Sequence, residues 1–197
     1  MPIVTYLQMR ERGELRPRYC DDRQLVIRET VLPQWQLNRF LYQLVGEPWH
    51  WADKLVWSDE RWRRYAAKVR TFVACYGGNL AGYYELLRHP REPSVQISYF
   101  GLAPGFIGRG LGGALLTDAI EQAWAWDGNA TRVWVHTCET DHPGALPNYE
   151  ARGMTAYKTT VSPTPTLRRA RSTREANARK RQRRDKSEVA GRKSKRR

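Results

Sequence analysis

The sequence predicts a mixed α/β protein: a central twisted sheet with helices on both faces, and a disordered basic tail behind it. Three observations lead to that class. Strand-like runs parted by tight turns fill residues 70–102, where antiparallel pairing is the simplest reading. From Gly108 onward the apolar period changes, and helix alternates with strand. After Ser162 the pattern stops.

Charge divides the chain at the same point. Pro163 to Arg197 carries fifteen Lys and Arg against Glu175, Asp185 and Glu188, which is +12 of the formal +14. Residues 1–162 hold nineteen basic and seventeen acidic residues, a net of +2. The tail has one Leu, one Val and no aromatic residue, too little apolar surface to offset its ordering entropy. The expected division is a folded domain over 1–162 and a tail over 163–197. Such a tail suits weak, sequence-independent contact with nucleic acid. Cys20, Cys75 and Cys138 are odd in number and far apart, which argues against disulfides and for a cytoplasmic setting. No apolar run approaches the roughly 18 residues of a membrane span, and the N-terminus lacks the basic-then-apolar order of a signal peptide. No membrane partner is expected.

In chain order, "LVIRETV" (Leu25 to Val31) reads as a strand. "PQWQLNRFLYQLVG" reads as a helix between Pro33 and Gly46, with Trp35, Leu37, Phe40, Leu41, Leu44 and Val45 on its apolar face. "SDERWRRYAAK" reads as a second helix, capped by Ser58 and favoured by Asp59 and Glu60 in its first turn. "RTFVACY" and "LAGYYELL" form a hairpin across "GGN", and "SVQISYFGL" adds a third strand. "GRGLGGALLTDAIEQAWAW" is a helix carrying Leu111, Leu115 and Ile120 at helical spacing. "TRVWVHT" is a strand and "PGALPNYEARG" a short helix, because Pro147 is tolerated only near a first turn. "MTAYKTTV" is the last strand.

"YFGLAPGFIGRGLGGALL" is the most informative stretch. A strand ends at Leu102, a turn follows, and Gly108, Gly110, Gly112 and Gly113 open a helix. Free N–H groups at a helix start, with no side chains in the way, make an anion site, to which Arg109 can add charge. The sequence holds no G-K-[ST] of a P-loop. A dinucleotide fingerprint belongs in a βαβ unit, whereas strands of antiparallel character precede this loop.

The loop and its setting resemble the GNAT superfamily of acyl-CoA-dependent N-acetyltransferases. That family's signature, Gln/Arg-x-x-Gly-x-Gly/Ala, cradles the CoA pyrophosphate. It matches "IGRGLG" at Gly110 and Gly112, with Ile107 in place of the usual Gln or Arg. The resemblance runs from about Thr71 to Val161, and "FGLAPGFIGRGLG" with "HTCETDHP" also resembles a bacterial subgroup of the family. It implies acetyl-CoA as co-substrate, held by Gly101, Leu102, Ile107, Gly108, Arg109, Gly110, Leu111, Gly112, Gly113 and His142. It implies acetyl transfer to an amine, on a small molecule or a protein lysine, by direct attack in a ternary complex. The contrasting reading is a nucleic-acid-associated protein that binds through its tail, with an inactive or secondary GNAT body.

Within that resemblance, "HPGALPNY" stands where the family often reads Asn-x-x-Ala-x-x-Leu-Tyr. Ala145 and Tyr149 match, and Tyr149 inherits the role of protonating the leaving thiolate, which suits a phenol. His136, Cys138, Asp141 and His142 offer metal-ligand types, but no second His/Cys cluster supports them, and no metal is expected. The family's usual base position falls on Gln96, an amide that orients a water but accepts no proton. Glu85 is the nearest carboxylate candidate, His50 the next, and a water chain the third possibility. Trp49, His50, Trp51, Trp57 and Tyr83 are the expected acceptor wall, since tryptophan faces hold cations. Glu47 and Asp53 could add charge there.

Overall fold

The computed structural model describes residues 1–161, apart from 90 and 127. The expected tail over 163–197 lies outside the described residues. The elements follow the sequence closely. After β1 (Ile3–Met9) come β2 (Leu25–Glu29), α1 (Trp35–Gly46), α2 (Asp59–Ala66), β3 (Val69–Tyr76), β4 (Asn79–His89) and β5 (Ser94–Leu102). α3 (Leu111–Trp126), β6 (Arg132–Cys138), α4 (Ala145–Ala151) and β7 (Thr155–Val161) complete it. Ser58 caps α2 as expected, its Oγ accepting from Arg61 N–H at 3.3 Å, worth about 1 kcal/mol. Pro147 lies in the first turn of α4.

The seven strands form one sheet in the order β2-β3-β4-β5-β6-β1-β7. Every pairing is antiparallel except β5 with β6. One face carries α3, whose Leu115, Leu116, Ala119, Ile120 and Ala123 are wholly buried against Leu86, Val95, Ile97, Val133 and Val135. Each such Leu or Ile contributes about 1.5–3 kcal/mol of transfer free energy. The other face carries a smaller cluster of Leu41, Val45 and Tyr83 beneath α1.

Two features depart from the sequence reading. The first is β1, which the sequence reading left unassigned. It enters between β6 and β7, so the last strand does not touch β6. Its core contribution is only Leu7 and Met9, two residues at period two, both wholly buried. The second is the rolled face of α1. Phe40, expected inside, is 48% exposed, while Asn38 and Tyr42 are buried. Asn38 is accommodated because its Nδ2 donates to Thr71 Oγ1 at 2.7 Å and Glu85 Oε1 at 2.8 Å.

Candidate active site

The sheet opens at one place. β5 and β6 pair only over Ser94–Gln96, opposite Arg132–Trp134, and then part. From Ile97 to Leu102 the β6-facing edge of β5 has no strand partner. A β-bulge marks the same point, since Glu85 pairs with Tyr99 and Leu86 with Ile97, which leaves Ser98 as the extra residue. The opening therefore exposes backbone donors and acceptors along one strand, in a sheet otherwise well paired.

The glycine loop lies at the far end of this edge. β5 ends at Leu102, a single turn spans Pro104–Phe106, and α3 begins at Leu111. Gly108 and Gly110 take φ of +83° and +77°, which other residues adopt at a cost. An added Cβ at Gly108 would meet nothing, so the backbone there is open to a ligand. The first-turn N–H groups of the 16-residue α3 have no carbonyl partner inside the helix. Arg109 is exposed beside them, over the Phe106 ring at 5.4 Å.

Two arginines absent from the sequence reading converge on the same helix start. The Arg18 N–H donates to Thr117 Oγ1 at 2.9 Å, and its side chain runs back over the first turn. A Cβ on Gly113 would lie 2.7 Å from Arg18 Cδ and 2.6 Å from Arg152 Nη1, and one on Gly110 3.4 Å from Arg18 Nη2. Gly113 thus makes room for the two arginines. No carboxylate pairs with either arginine among the described ion pairs, and Arg152 Nε is buried without a partner. Burial and, next, the neighbouring Arg18 charge lower the Arg152 pKa. Two cations at the positive end of a helix form a site that favours an anion. Gly101 has a packing reason of its own, because a Cβ there would meet Val45 Cγ1 at 2.5 Å.

The stretch "HTCETDHPGALPNY" resolves into a strand end, a tight turn and a helix. Asp141 organises the turn. Its Oδ2 accepts from Cys138 N–H at 2.8 Å and Thr137 Oγ1 at 2.9 Å, and its Oδ1 from Trp51 Nε1 at 3.1 Å. His142 Nδ1 accepts from Gly144 N–H at 2.9 Å, and its ring meets Trp49 edge-on at 5.1 Å. Among the described residues no group of three His, Cys, Asp or Glu is placed to hold a metal. Tyr149 is buried on α4, 5.9 Å from the Phe100 ring. Burial, then the Asp141 charge, raises its pKa, so the phenol keeps its proton across the neutral range.

Glu85 lies beneath α1 and α2, 1% exposed. Its Oε1 accepts from Asn38, and its Oε2 accepts from Tyr65 Oη at 2.5 Å. Tyr65 Oη is also 3.1 Å from Ser98 Oγ, on the bulge. A hydrogen-bonded chain Ser98–Tyr65–Glu85 thus leads from the open strand into the protein. Burial raises the Glu85 pKa, against the lowering effects of Lys54, Asn38 and Tyr65. Lys54 is 5% exposed, with Nζ 3.3 Å from the Tyr65 ring centre, 4.0 Å from that of Tyr99 and 4.8 Å from that of Trp57. Burial pulls its pKa down to about 7, against the raising effect of Glu85. Gln96 ends the β5–β6 pairing, its Oε1 3.1 Å from His89 Nε2.

The acceptor wall assembles in part. Trp51 packs tilted against Tyr42 and edge-on against Tyr99, with ring centroids 5.6 and 5.1 Å apart, and donates to Asp141. Gly46 makes this possible, since a Cβ there would lie 2.4 Å from Trp51. His50 has a left-handed backbone, φ +58°, which lets Trp51 N–H return to Gly46 O at 3.0 Å. The His50 side chain is exposed. Tyr83 lies beneath this wall, in a cluster against which Trp51 and Tyr99 pack. It is wholly buried with Leu41 and Val45, its hydroxyl unpartnered, because the pleat turns it under α1.

A strand edge laid open thus lies beside a helix start that favours an anion. The chain belongs to the acetyltransferase (GNAT) family, whose model matches residues 35–154. Members of that family use acetyl-CoA. Solved structures share the fold. A GCN5-related N-acetyltransferase from Sphaerobacter thermophilus matches at 16% identity and TM-score 0.58, over 80% of this chain and 49% of that one. One from Kribbella flavida matches at 15% and 0.54, over 80% and 55%. A tandem GNAT protein from the clavulanic acid biosynthesis pathway matches at 18% and 0.54, over 81% and 51%. The chain thus spans about half the length of these neighbours. No curated protein gives a significant match.

Proposed function

We propose that the chain transfers an acetyl group from acetyl-CoA to a primary amine by direct attack in a ternary complex. The observation that carries this is the parted β5–β6 edge, with a phosphate site at one end and a proton-handling group on each side. The acyl donor supplies an activated carbonyl. The chain's own residues do the rest.

Backbone N–H groups of residues 108–112, with Arg18, Arg152 and Arg109, hold the phosphates. The missing charge of Ile107, where the family signature has Gln or Arg, is made good by arginines from outside the loop. The free edge of β5 through Gly101 and Leu102 accepts the extended arm, and His142 borders it. Tyr149 keeps its proton at neutral pH and gives it to the departing sulfur. On the opposite side, the acceptor's proton passes through Ser98 and Tyr65 to Glu85. Gln96 and His89 orient water at the mouth. Trp49, Trp51 and Tyr99 form the wall against which an alkylammonium group packs, and His50 stands at its rim. The test is an acetyl-CoA-dependent thiol-release screen over diamines, lysine peptides and aminoglycosides. Amine-independent thiol release alone would refute amine transfer.

A further inference from the structure

Lys54 has no part in that reading, yet its amine lies against Tyr99, a residue of the proposed acceptor wall. We propose that Lys54 is itself an acetyl acceptor, and that the chain acetylates this lysine in cis. The inference rests on the proposed transferase reading and deepens it.

Position is the first argument. The Lys54 Nζ lies 4.0 Å from the ring of Tyr99, three residues beyond the last β5–β6 pair. It lies 3.3 Å from the ring of Tyr65, which donates to Glu85 and touches Ser98. The amine therefore sits against the Tyr99 ring of the open strand, within reach of the charge of Glu85. Chemistry is the second argument. No carboxylate pairs with Nζ among the described ion pairs, and aromatic faces surround it. Desolvation outweighs the opposing charges of Glu85 and Asp53 and favours the neutral amine, which is the nucleophilic form. Burial is the third. At 5% exposure Lys54 is shielded from chemical acetylation in bulk solvent, so modification there requires the site.

The step balances. The Nζ lone pair forms a bond to the thioester carbonyl carbon, and the carbon–sulfur bond breaks. The proton lost by nitrogen is taken by the Glu85 carboxylate, whose charge acts on Lys54, and the departing thiolate takes the proton of Tyr149. The products are acetyl-lysine and free CoA. The acetamide carries no charge, so the aromatic cage loses its cation.

The experiment incubates the full chain with acetyl-CoA and follows intact mass and peptide maps. Three results are expected. One acetyl group appears at Lys54, with a first-order rate that does not change on protein dilution. It appears ahead of any at the exposed Lys68 and Lys158. Lys54→Arg, which keeps a cation in the cage, loses the label but retains CoA binding. Turnover of an external amine with Lys54 unmodified overturns the proposal and leaves the transferase reading standing. Equal labelling of Lys54, Lys68 and Lys158, or a rate proportional to protein concentration, overturns it as well. CoA binding with neither external turnover nor label sinks both.

Discussion

Replacing Arg18 or Arg152 by Gln tests whether the paired arginines exist for an anion. Gln keeps part of each stem while removing its charge. A charge-assisted hydrogen bond contributes about 1.5–3 kcal/mol. Arg152 is half-buried, so its loss should weaken CoA binding roughly tenfold, the low end of that range. Arg18 is exposed and screened by solvent, so its loss should weaken binding roughly fivefold. The unliganded protein should respond in the opposite sense. Arg152 has its pKa lowered in the fold, first by burial and then by Arg18. The folded state therefore disfavours that charge at every pH below the lowered value, and removing either cation relieves it. Melting temperature without ligand should hold or rise. Calorimetry with CoA and with dephospho-CoA measures the loss and tells which phosphate the arginines hold. Salt should weaken wild-type binding more steeply than either variant's. Wild-type CoA affinity in both variants would refute the reasoning. A fall in unliganded stability with affinity unchanged would show that the arginines serve packing alone.

Three further outcomes follow from the site. Tyr149→Phe should leave CoA affinity nearly unchanged and lower kcat by roughly 10²-fold, as for loss of a general acid, and wild-type turnover would remove Tyr149 from the chemistry. Glu85→Gln should abolish the acidic limb of the kcat/KM profile. That limb should lie above the ordinary carboxylate range, because burial raises the Glu85 pKa. The same shift means that stability declines as pH rises from the unfolded carboxylate's pKa through the folded one, a slope that denaturant titration should find flattened in Glu85→Gln. An unchanged limb would leave His50 or a water chain as base. Deleting residues 163–197 should spare turnover on a small amine and abolish retention on DNA at low salt. Lost turnover would mean that the tail helps build the site.

The elements that were legible carried their information locally. The hairpin was written in "GGN", where Gly77 and Gly78 both take positive φ. The start of α2 was written in Ser58, and the exit of α4 in Gly153, at φ +94°. β1 was not legible, because its inward side is just Leu7 and Met9, and its place between β6 and β7 is set by partners more than a hundred residues away. The face of α1 was misread for a related reason. Hydrophobicity ranks Phe40 above Asn38. Yet two buried acceptors, Thr71 and Glu85, await an amide at Asn38, and meeting them outweighs covering one aromatic ring.

The site divides in the same way. Its donor half is made of backbone, and backbone geometry is readable, since a run of glycines before an amphipathic helix has few other uses. Even there the sequence blurs two purposes. Gly108 and Gly110 supply positive φ, while Gly101 and Gly113 yield space to Val45 and the arginines. The acceptor half is made of side chains brought together across the sheet: Lys54 before α2, Tyr65 on α2, Glu85 on β4, and Ser98 and Tyr99 on β5. Apart from the adjacent Ser98 and Tyr99, none of these is near another in spacing that a motif would record. What joins them is the bulge at Ser98. It shifts the register by one residue, so that Ser98 meets Tyr65 while Tyr99 lies opposite Glu85. A regular strand would place Ser98 opposite Glu85 and turn Tyr99 to the other face of the sheet. The extra residue, close to where β5 parts from β6, thus also assembles the Ser98–Tyr65–Glu85 chain, so the proposed donor binding and acceptor chemistry share one irregular stretch of β5.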